Sequence, residues 1–565
     1  MAQWEWRLCA LAPEDLFAEA EACGISQLVA QILFNRGLTS AAAMQAFLAG
    51  KGDGESDPFL LRDMGRAVAR LREALRKGEL VAVYGDYDAD GLTATALLVE
   101  VLIALGGQAV PYIPHRLDEG YGLHREALSR LRECGAGLVL TVDCGIGGAA
   151  EVGYAYGIGL DVVITDHHEV QGPLPQALAV VNPKRADSRY PFRELAGVGV
   201  AYKLAQALVH DVAPSRWPEI ESRCLDLVAL GTVADVVPML GENRTLVRRG
   251  LQALNETGRP GLKELAEMAG LPLGRLDESH IGYGLGPRLN AAGRIDDAWI
   301  GYRLLVTDSH QEARDLARIL EERNRRRQQL TEAGFQRARD LAAQQVPAKV
   351  LVVEDQTFAA GVVGLIAAKL VEEFNRPAVV LERGPGQSRG SARSIPAFDI
   401  SAALAGCADL LDRYGGHPLA AGLALPTTKV PALHQRLLER AERDLADEDL
   451  RPTLAIDAEL PVAAVGWEVH GALGLLPPFG LGNPEPVLLG RAARVRECRA
   501  VGRSGSHLRL LLEDGATQRA AVAFGRGDLA GRLPRLVDIA YTIAVNEWQG
   551  NRRLELRLRD LRPST

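Results

Sequence analysis

Apolar and polar positions fall into blocks along the chain, and the blocks are of two kinds. Short apolar runs rich in β-branched residues stand at positions 80–84 (LVAVY), 137–142 (GLVLTV), 161–165 (DVVIT) and 177–181. Segments with helical periodicity separate them, one of them at 93–105. Continuous apolar strands alternating with helices predict a parallel sheet buried on both faces. A second α/β unit follows, with strands at 349–353 and 378–382 around a helix at 362–374. Between the two units, residues 309–345 read as one long helix of alternating charge with few large apolar positions, a solvated connector. From residue 452 the texture changes to short alternating strands with Gly and Pro turns, as in HLRLLLEDG and DIAYTIAVNEW. Such spacing predicts a small barrel, with an OB-fold as the favoured member. The expected fold class is therefore α/β with an OB-like β-barrel at the end. Its parts are a helical segment at 1–75, a parallel-sheet domain at 76–308, a connecting helix at 309–345, a second α/β domain at 346–450 and the barrel at 451–565.

Composition narrows the class. A chain of 565 residues exceeds one ordinary core, and 47% hydrophobic residues is normal for folded domains. The seven cysteines are odd in number, with no CxxC pair. That argues against a disulfide framework or structural zinc and predicts a reduced, cytoplasmic setting. MAQWEWRLCALAPEDLF has no basic stretch leading into an apolar core, so it does not read as a signal peptide. The best membrane candidate, 94–105, is short and broken by Glu100. The net charge of −8 is uneven: from Glu485 onward 15 Arg face nine acids, a surplus of six that leaves the remainder at −14. An acidic body would collect metal ions and a basic appendage would collect phosphates.

The acids sit where a parallel sheet binds its ligands, off the carboxyl ends of the strands. Asp86, Asp88 and Asp90 alternate in GDYDADG after the first run. Asp143 follows the second run, Asp166-His167-His168 the third, and Asp235 lies in TVADVVP. DxDxDG also opens a calcium-binding EF-hand loop. That loop requires a Glu at its last ligand position, here Leu97, and a helix before it, where this chain has a strand. Three clustered acids repel one another unless a cation is present. With imidazoles beside them, a mixed Asp/His site favours Mn²⁺ over Mg²⁺.

GDYDADG, TVDCG, TDHHE and TVADVVPM resemble the successive motifs of the DHH phosphoesterase superfamily. LGPRLNAAGR, GSARS and YGGHPLAAG extend the likeness to its bacterial single-strand-specific 5′-to-3′ exonucleases, over about residues 75–565. The resemblance implies a DHH domain, a DHH-associated domain and a two-metal phosphodiesterase using Mn²⁺ or Mg²⁺ in DNA repair and recombination. It implies that Asp86 and Asp88 serve one metal and Asp90, His167 and Asp235 the other, with Asp143 bridging. His168 would act near the scissile phosphate. Many smaller members carry a His where this chain has Tyr84, and Asp86 would compensate. Ser391, Arg393 and Gly390 are implied for a 5′-phosphate, bound through backbone N–H, hydroxyl and guanidinium. Arg116, Arg288, Asn290 and Arg294 are further phosphate candidates, while Gly415, Gly416 and His417 would approach the backbone near the scissile group. Each lone Arg is as readily an ordinary ion pair. Phe524 and Trp548 are the aromatics available to stack bases, with Phe524 expected in the core. Single-stranded DNA with a 5′-phosphate is the implied substrate, single-strand-binding protein and a RecQ-type helicase are implied partners, and a monomer is expected. Two other readings stand beside this one. The chain would be a DHH enzyme for oligoribonucleotides or cyclic dinucleotides, which the added barrel disfavours, or a non-catalytic DNA-binding scaffold, which the intact acids disfavour.

Overall fold

The computed structural model describes residues 4–50, 55–116, 118–170, 172–502, 505–548 and 550–564. The chain forms two compact units. The larger is built from Trp6–Pro114, Glu119–Gly286 and Leu454–Thr565, the smaller mainly from Pro287–Thr453.

In the larger unit, strands β1 (Leu80–Tyr84), β2 (Gln108–Tyr112), β3 (Ala136–Thr141), β4 (Asp161–Thr165) and β5 (Ala179–Val181) form a sheet in the order β2-β1-β3-β4-β5. Every pairing is parallel. Three of the β-branched runs form the inner strands β1, β3 and β4 and the fourth forms the edge strand β5; Val81, Val83, Leu138, Leu140 and Val163 are almost fully buried. Helix α1 (Ala89–Ala104) follows β1, while α2 (Arg125–Glu133) and α3 (Ala149–Gly157) cover β3 and β4. Helices α4 (Gly197–Val212), α5 (Trp217–Ala234) and α6 (Gly241–Asn255) complete the body. Helix α1 begins four residues earlier than its apolar pattern indicates. The Asp88 side chain caps it by accepting from the backbone N–H of Asp90 and Gly91 at 3.0 and 3.1 Å. Asp90 therefore lies in a helix's first turn rather than in a loop.

The barrel belongs to this same unit. Strands β11 (Leu488–Val501), β12 (His507–Asp514), β13 (Thr517–Ala523), β14 (Leu536–Trp548) and β15 (Asn551–Pro563) run in the order β11-β12-β13-β15-β14, and β14 pairs back onto β11 to close it. Leu488, Leu508, Leu510, Leu512, Val537 and Tyr541 fill its interior.

In the smaller unit, helix α7 (Gly286–Ile295) leads towards α8 (His310–Ala343), a 34-residue helix. Helix α8 is not solvated all round, as its charge pattern suggested. Leu320, Phe335, Ala338 and Ala342 are buried, and its second half shares a core with α9 (Val363–Phe374). Small apolar residues suffice here because the facing helix approaches closely: a Cβ on Gly334 would lie 2.5 Å from Ile366 Cδ1. Strands β6 (Leu351–Asp355), β7 (Ala378–Glu382), β8 (Gln387–Arg393), β9 (Arg413–His417) and β10 (Ala420–Pro426) form a mixed sheet in the order β9-β10-β8-β7-β6.

Candidate metal centre

The side chains expected at the metal site come from four separate segments of the larger unit, and the structure gathers them. Ligand atoms within 4.8 Å of one another form three sets: Asp86, Asp88 and Asp143; Asp90, His167 and Asp235; and Asp143, His167 and His168. Asp143 is common to two sets, the position of a bridge. His167 Nε2 lies 3.0 Å from Asp143 Oδ1, 3.7 Å from Asp235 Oδ2 and 3.9 Å from Asp90 Oδ2. Tyr84, the position where smaller enzymes carry a His, is a core residue. It is fully buried, stacks on Tyr112 and donates its hydroxyl to Gly122 O at 3.0 Å. Asp86 faces Asp88 and Asp143 in its place.

The backbone is bent to make this cluster. Asp143 has φ of 60° and Val236, directly after Asp235, has φ of 62°. Left-handed backbone is costly for residues with a Cβ, and most of all for a β-branched one. Gly197 gives the room: a Cβ there would lie 2.6 Å from Asp143 Oδ1. The N-terminus of α4 then meets Asp90, whose two oxygens accept from Gly197 N–H at 2.7 Å and Val198 N–H at 2.8 Å. Each of those oxygens keeps a second lone pair, so Asp90 can be held by the helix and still bind a cation.

Burial pushes the Asp90 carboxyl up to about 7, with the neighbouring Asp88 charge adding to it. Asp143 and Asp235 are pushed well above the ordinary range by burial and by the charge of Asp90. Burial likewise pushes the His167 imidazole down to about 3, which leaves it neutral and able to ligate. Buried acids that repel one another around a neutral imidazole suit divalent cations, whose charge relieves that repulsion.

His168 differs. Burial opposes its charge, but its bond to Asp166 and the nearby Asp235 and Asp86 push it up to about 9. Its Nδ1 lies 2.8 Å from Asp166 Oδ1 and 3.0 Å from the Tyr121 hydroxyl. Asp166 also accepts from the backbone N–H of Ile146, His167 and His168 at 2.7–3.0 Å. Asp166 and Tyr121 are functional candidates that the sequence did not single out. Asp166 read as the end of a strand unit, and Tyr121 was visible only as part of the HRLDEGYG segment around Arg116.

The remaining candidates, Arg116, Arg288, Asn290, Arg294, Gly390, Ser391, Arg393, Gly415, Gly416 and His417, all belong to the smaller unit. Arg393 donates to Ser391 Oγ at 2.7 Å. Burial lowers its guanidinium pKa, and the nearby charge of Arg116 adds to the effect, a pairing that suits an anion. The expectation that Gly390 and Ser391 bind phosphate through backbone N–H is corrected. They lie in β8, a central strand paired with β7 and β10, so the ladder uses their amides. Gly390 is required by packing instead, since a Cβ there would lie 2.2 Å from Val380 O. Arg288 is held by Glu321 at 2.7 Å, the ion-pair reading. Arg294 O approaches Gly361 so closely that a Cβ there would lie 2.1 Å away. Asn290 is half-buried on α7. Gly415, Gly416 and His417 lie on β9, an edge strand, with Gly416 at φ of 147°.

On the barrel, Arg499 of β11 faces Arg509 of β12, which faces Val522 of β13, which faces Arg557 of β15. The three arginines are exposed, and among the described residues none of them forms an ion pair. Like charges opposite each other on a sheet are unfavourable unless an anion lies over them. Phe524, expected in the core, is 62% exposed and meets the His507 ring edge-on at 5.3 Å. It follows the last residue of β13 and falls on the outward phase of the alternation that buries Ala521 and Ala523. The Trp548 side chain lies outside the described residues.

Comparison with known proteins agrees with this geometry. The DHH family N-terminal domain matches residues 80–232, the DHHA1 domain residues 347–443 and the RecJ OB domain residues 456–560. The single-stranded-DNA-specific exonuclease RecJ of Bacillus subtilis is 37% identical over 99% of this chain and 71% of its own length. That of Escherichia coli is 35% identical over 95% and 96%. The crystal structure of RecJ in complex with Mn²⁺ from Thermus thermophilus has a TM-score of 0.84, with 34% identity over 99% of this chain and 80% of that one. The Mg²⁺ complex of the same protein scores 0.79.

Proposed function

The chain belongs to the RecJ family of single-stranded-DNA-specific exonucleases, and from that premise we propose that it hydrolyses single-stranded DNA to nucleotides in the 5′-to-3′ direction. The activity is that of a metal-dependent hydrolase. The observation that carries this reading is the place of Asp143, which groups with Asp86 and Asp88 and lies 3.0 Å from His167, itself grouped with Asp90 and Asp235.

Two divalent ions, Mn²⁺ or Mg²⁺, would supply an activated water and charge stabilisation on both sides of the phosphate. Asp86 and Asp88 would hold one, Asp90, His167 and Asp235 the other, and Asp143 both. His168, with Nδ1 tied to Asp166, keeps Nε2 as the atom that donates a proton to a phosphate oxygen or to the leaving alkoxide. Tyr121 and Asp166 fix the plane of that ring. Arg393, Ser391 and Arg116 would receive a 5′-phosphate, which is what gives the cut its polarity. The Arg499, Arg509 and Arg557 row, with Phe524 beside it, would follow the incoming strand by charge and stacking.

Single-stranded DNA is the substrate. Single-strand-binding protein and a RecQ-type helicase are proposed partners, a monomer the proposed state, and repair and recombination in the cytoplasm the proposed setting. Seven unpaired cysteines support that compartment. No helix among the described residues is long and apolar enough to cross a membrane.

The direct test is Asp143→Ala. Hydrolysis is expected to be lost while single-strand binding persists, and undiminished turnover would show the site to be misplaced.

A further inference from the structure

Asp235 caps α5 with its N–H bonded to Gly231 O at 3.0 Å, but the chain turns out of the helix directly after it, and that turn is strained. The next residue, Val236, is β-branched, 65% exposed and left-handed. Such a conformation persists only when its surroundings enforce it. The enforcement comes three residues later. Met239 is buried and its N–H donates to Leu481 O at 2.7 Å. Leu481 lies in the segment at 475–483 that precedes the barrel. Gly480 and Gly482 pack so closely there that a Cβ would lie 3.1 Å from Met239 and 2.9 Å from Leu240.

The segment is itself tied down. Arg244, buried in α6, donates to the carbonyls of Leu475, Leu476 and Pro477 at 3.0–3.2 Å. Asn483 is fully buried and donates to Leu476 O at 3.0 Å and Pro478 O at 2.8 Å, which closes the turn. Phe479 N–H donates to Glu278 at 2.8 Å. From the other side, Asn243 donates to Pro238 O at 3.1 Å.

We infer that the segment at 475–483 is a brace for the metal centre: by pinning Met239 it holds Val236 left-handed and Asp235 in place. Asn483, Gly482 and Arg244 are then positioning residues that touch neither metal nor DNA. The inference rests on Asp235 being a ligand. It also gives the barrel a second task, since the chain that anchors it to the body sets the geometry of a ligand.

The experiment is calorimetric Mn²⁺ binding to the whole chain without DNA, for the wild type, Asp235→Ala, Asn483→Ala, Gly482→Ala and the double variant Asn483→Ala with Val236→Gly. Single-strand binding in chelator and a thermal melt accompany each. Asn483→Ala and Gly482→Ala are expected to weaken Mn²⁺ binding about tenfold, the scale of outer supports of metal ligands. Single-strand binding should stay within about twofold, since loss of such a support falls on the metal alone. Val236→Gly should recover part of the Mn²⁺ affinity in the Asn483→Ala background, because glycine enters the left-handed conformation without the strain that valine carries there. A general loss of packing would show no such rescue. Unchanged Mn²⁺ affinity in both single variants, or no rescue by Val236→Gly, overturns the brace. Unchanged affinity in Asp235→Ala overturns the ligand assignment instead. If Asn483→Ala does not melt as a folded protein, Gly482→Ala alone decides between tenfold weakening and none.

Discussion

Asp166 holds His168: its Oδ1 lies 2.8 Å from the ring Nδ1, and its other bonds go to three backbone N–H groups of the strand ends around it. Burial works against the Asp166 carboxylate, but the His168 bonds keep it below its ordinary range. The two adjacent histidines are thus split in role. His167 is neutral and enclosed among Asp90, Asp143 and Asp235, while His168 is charged, paired with Asp166 and partly exposed. Asp166→Asn is expected to lower kcat by about 10- to 100-fold, the usual cost of removing a residue that orients a working His. KM for single-stranded DNA should be little changed. Steady-state kinetics at saturating Mn²⁺ check this, and an unchanged kcat would remove His168 from the chemistry.

The arginine row on the barrel predicts a salt effect. Arg509→Glu, at the centre of the row, should weaken single-strand binding about tenfold and reduce the slope of log K against log salt by about one. Equilibrium titrations from low to moderate salt measure both. A lost affinity with an unchanged slope would mean that Arg509 supports the barrel rather than contacts phosphate.

Much of the centre was legible in the sequence because it lies where short apolar runs end. The runs at 80–84, 137–142 and 161–165 bring Asp86, Asp143 and His167 to one end of the sheet, whereas Asp235 comes from the end of helix α5 and its ligand role was implied only by the family resemblance. What escaped were contacts made across the chain. The Asp90 bonds to the α4 N-terminus join residues more than a hundred positions apart. The start of α1 was hidden because the residues that cap it are the acids of the site. The Gly-rich GSARS segment was assigned to no strand because glycine weakens strand propensity, yet Gly390 sits in a central strand where no Cβ fits. The α8 charge pattern pointed to a solvated helix, since Thr331, Gly334, Ala338, Ala342 and a single large residue, Phe335, make the buried face of its second half.

Stability at low pH has an identifiable source away from the site. Asp63 accepts from Arg185 at 2.8 Å and Val180 N–H at 3.3 Å. Burial opposes its charge, but these bonds hold its carboxyl below the ordinary range. Its contribution is therefore complete above the unfolded value of about 3.9 and is lost as pH falls through the lower folded value. Asp63 has φ of 64°, a left-handed backbone that Asn also tolerates, so Asp63→Asn should cost about 2 kcal/mol at pH 7 and progressively less below about pH 4. Denaturant melts across that range test the sign, and a cost that grows towards acid would contradict it.

The most direct measurement follows nucleotide release from a long 5′-phosphorylated DNA, offered single-stranded, with a 5′-hydroxyl, or as a blunt duplex, with Mn²⁺ or with chelator. The account predicts stepwise release of nucleotides from the 5′ end of the single strand with Mn²⁺, slower release from the 5′-hydroxyl strand, and almost none from the duplex or in chelator. Digestion of the duplex at a comparable rate, activity that survives chelation, or cleavage confined to di- and trinucleotides would contradict it.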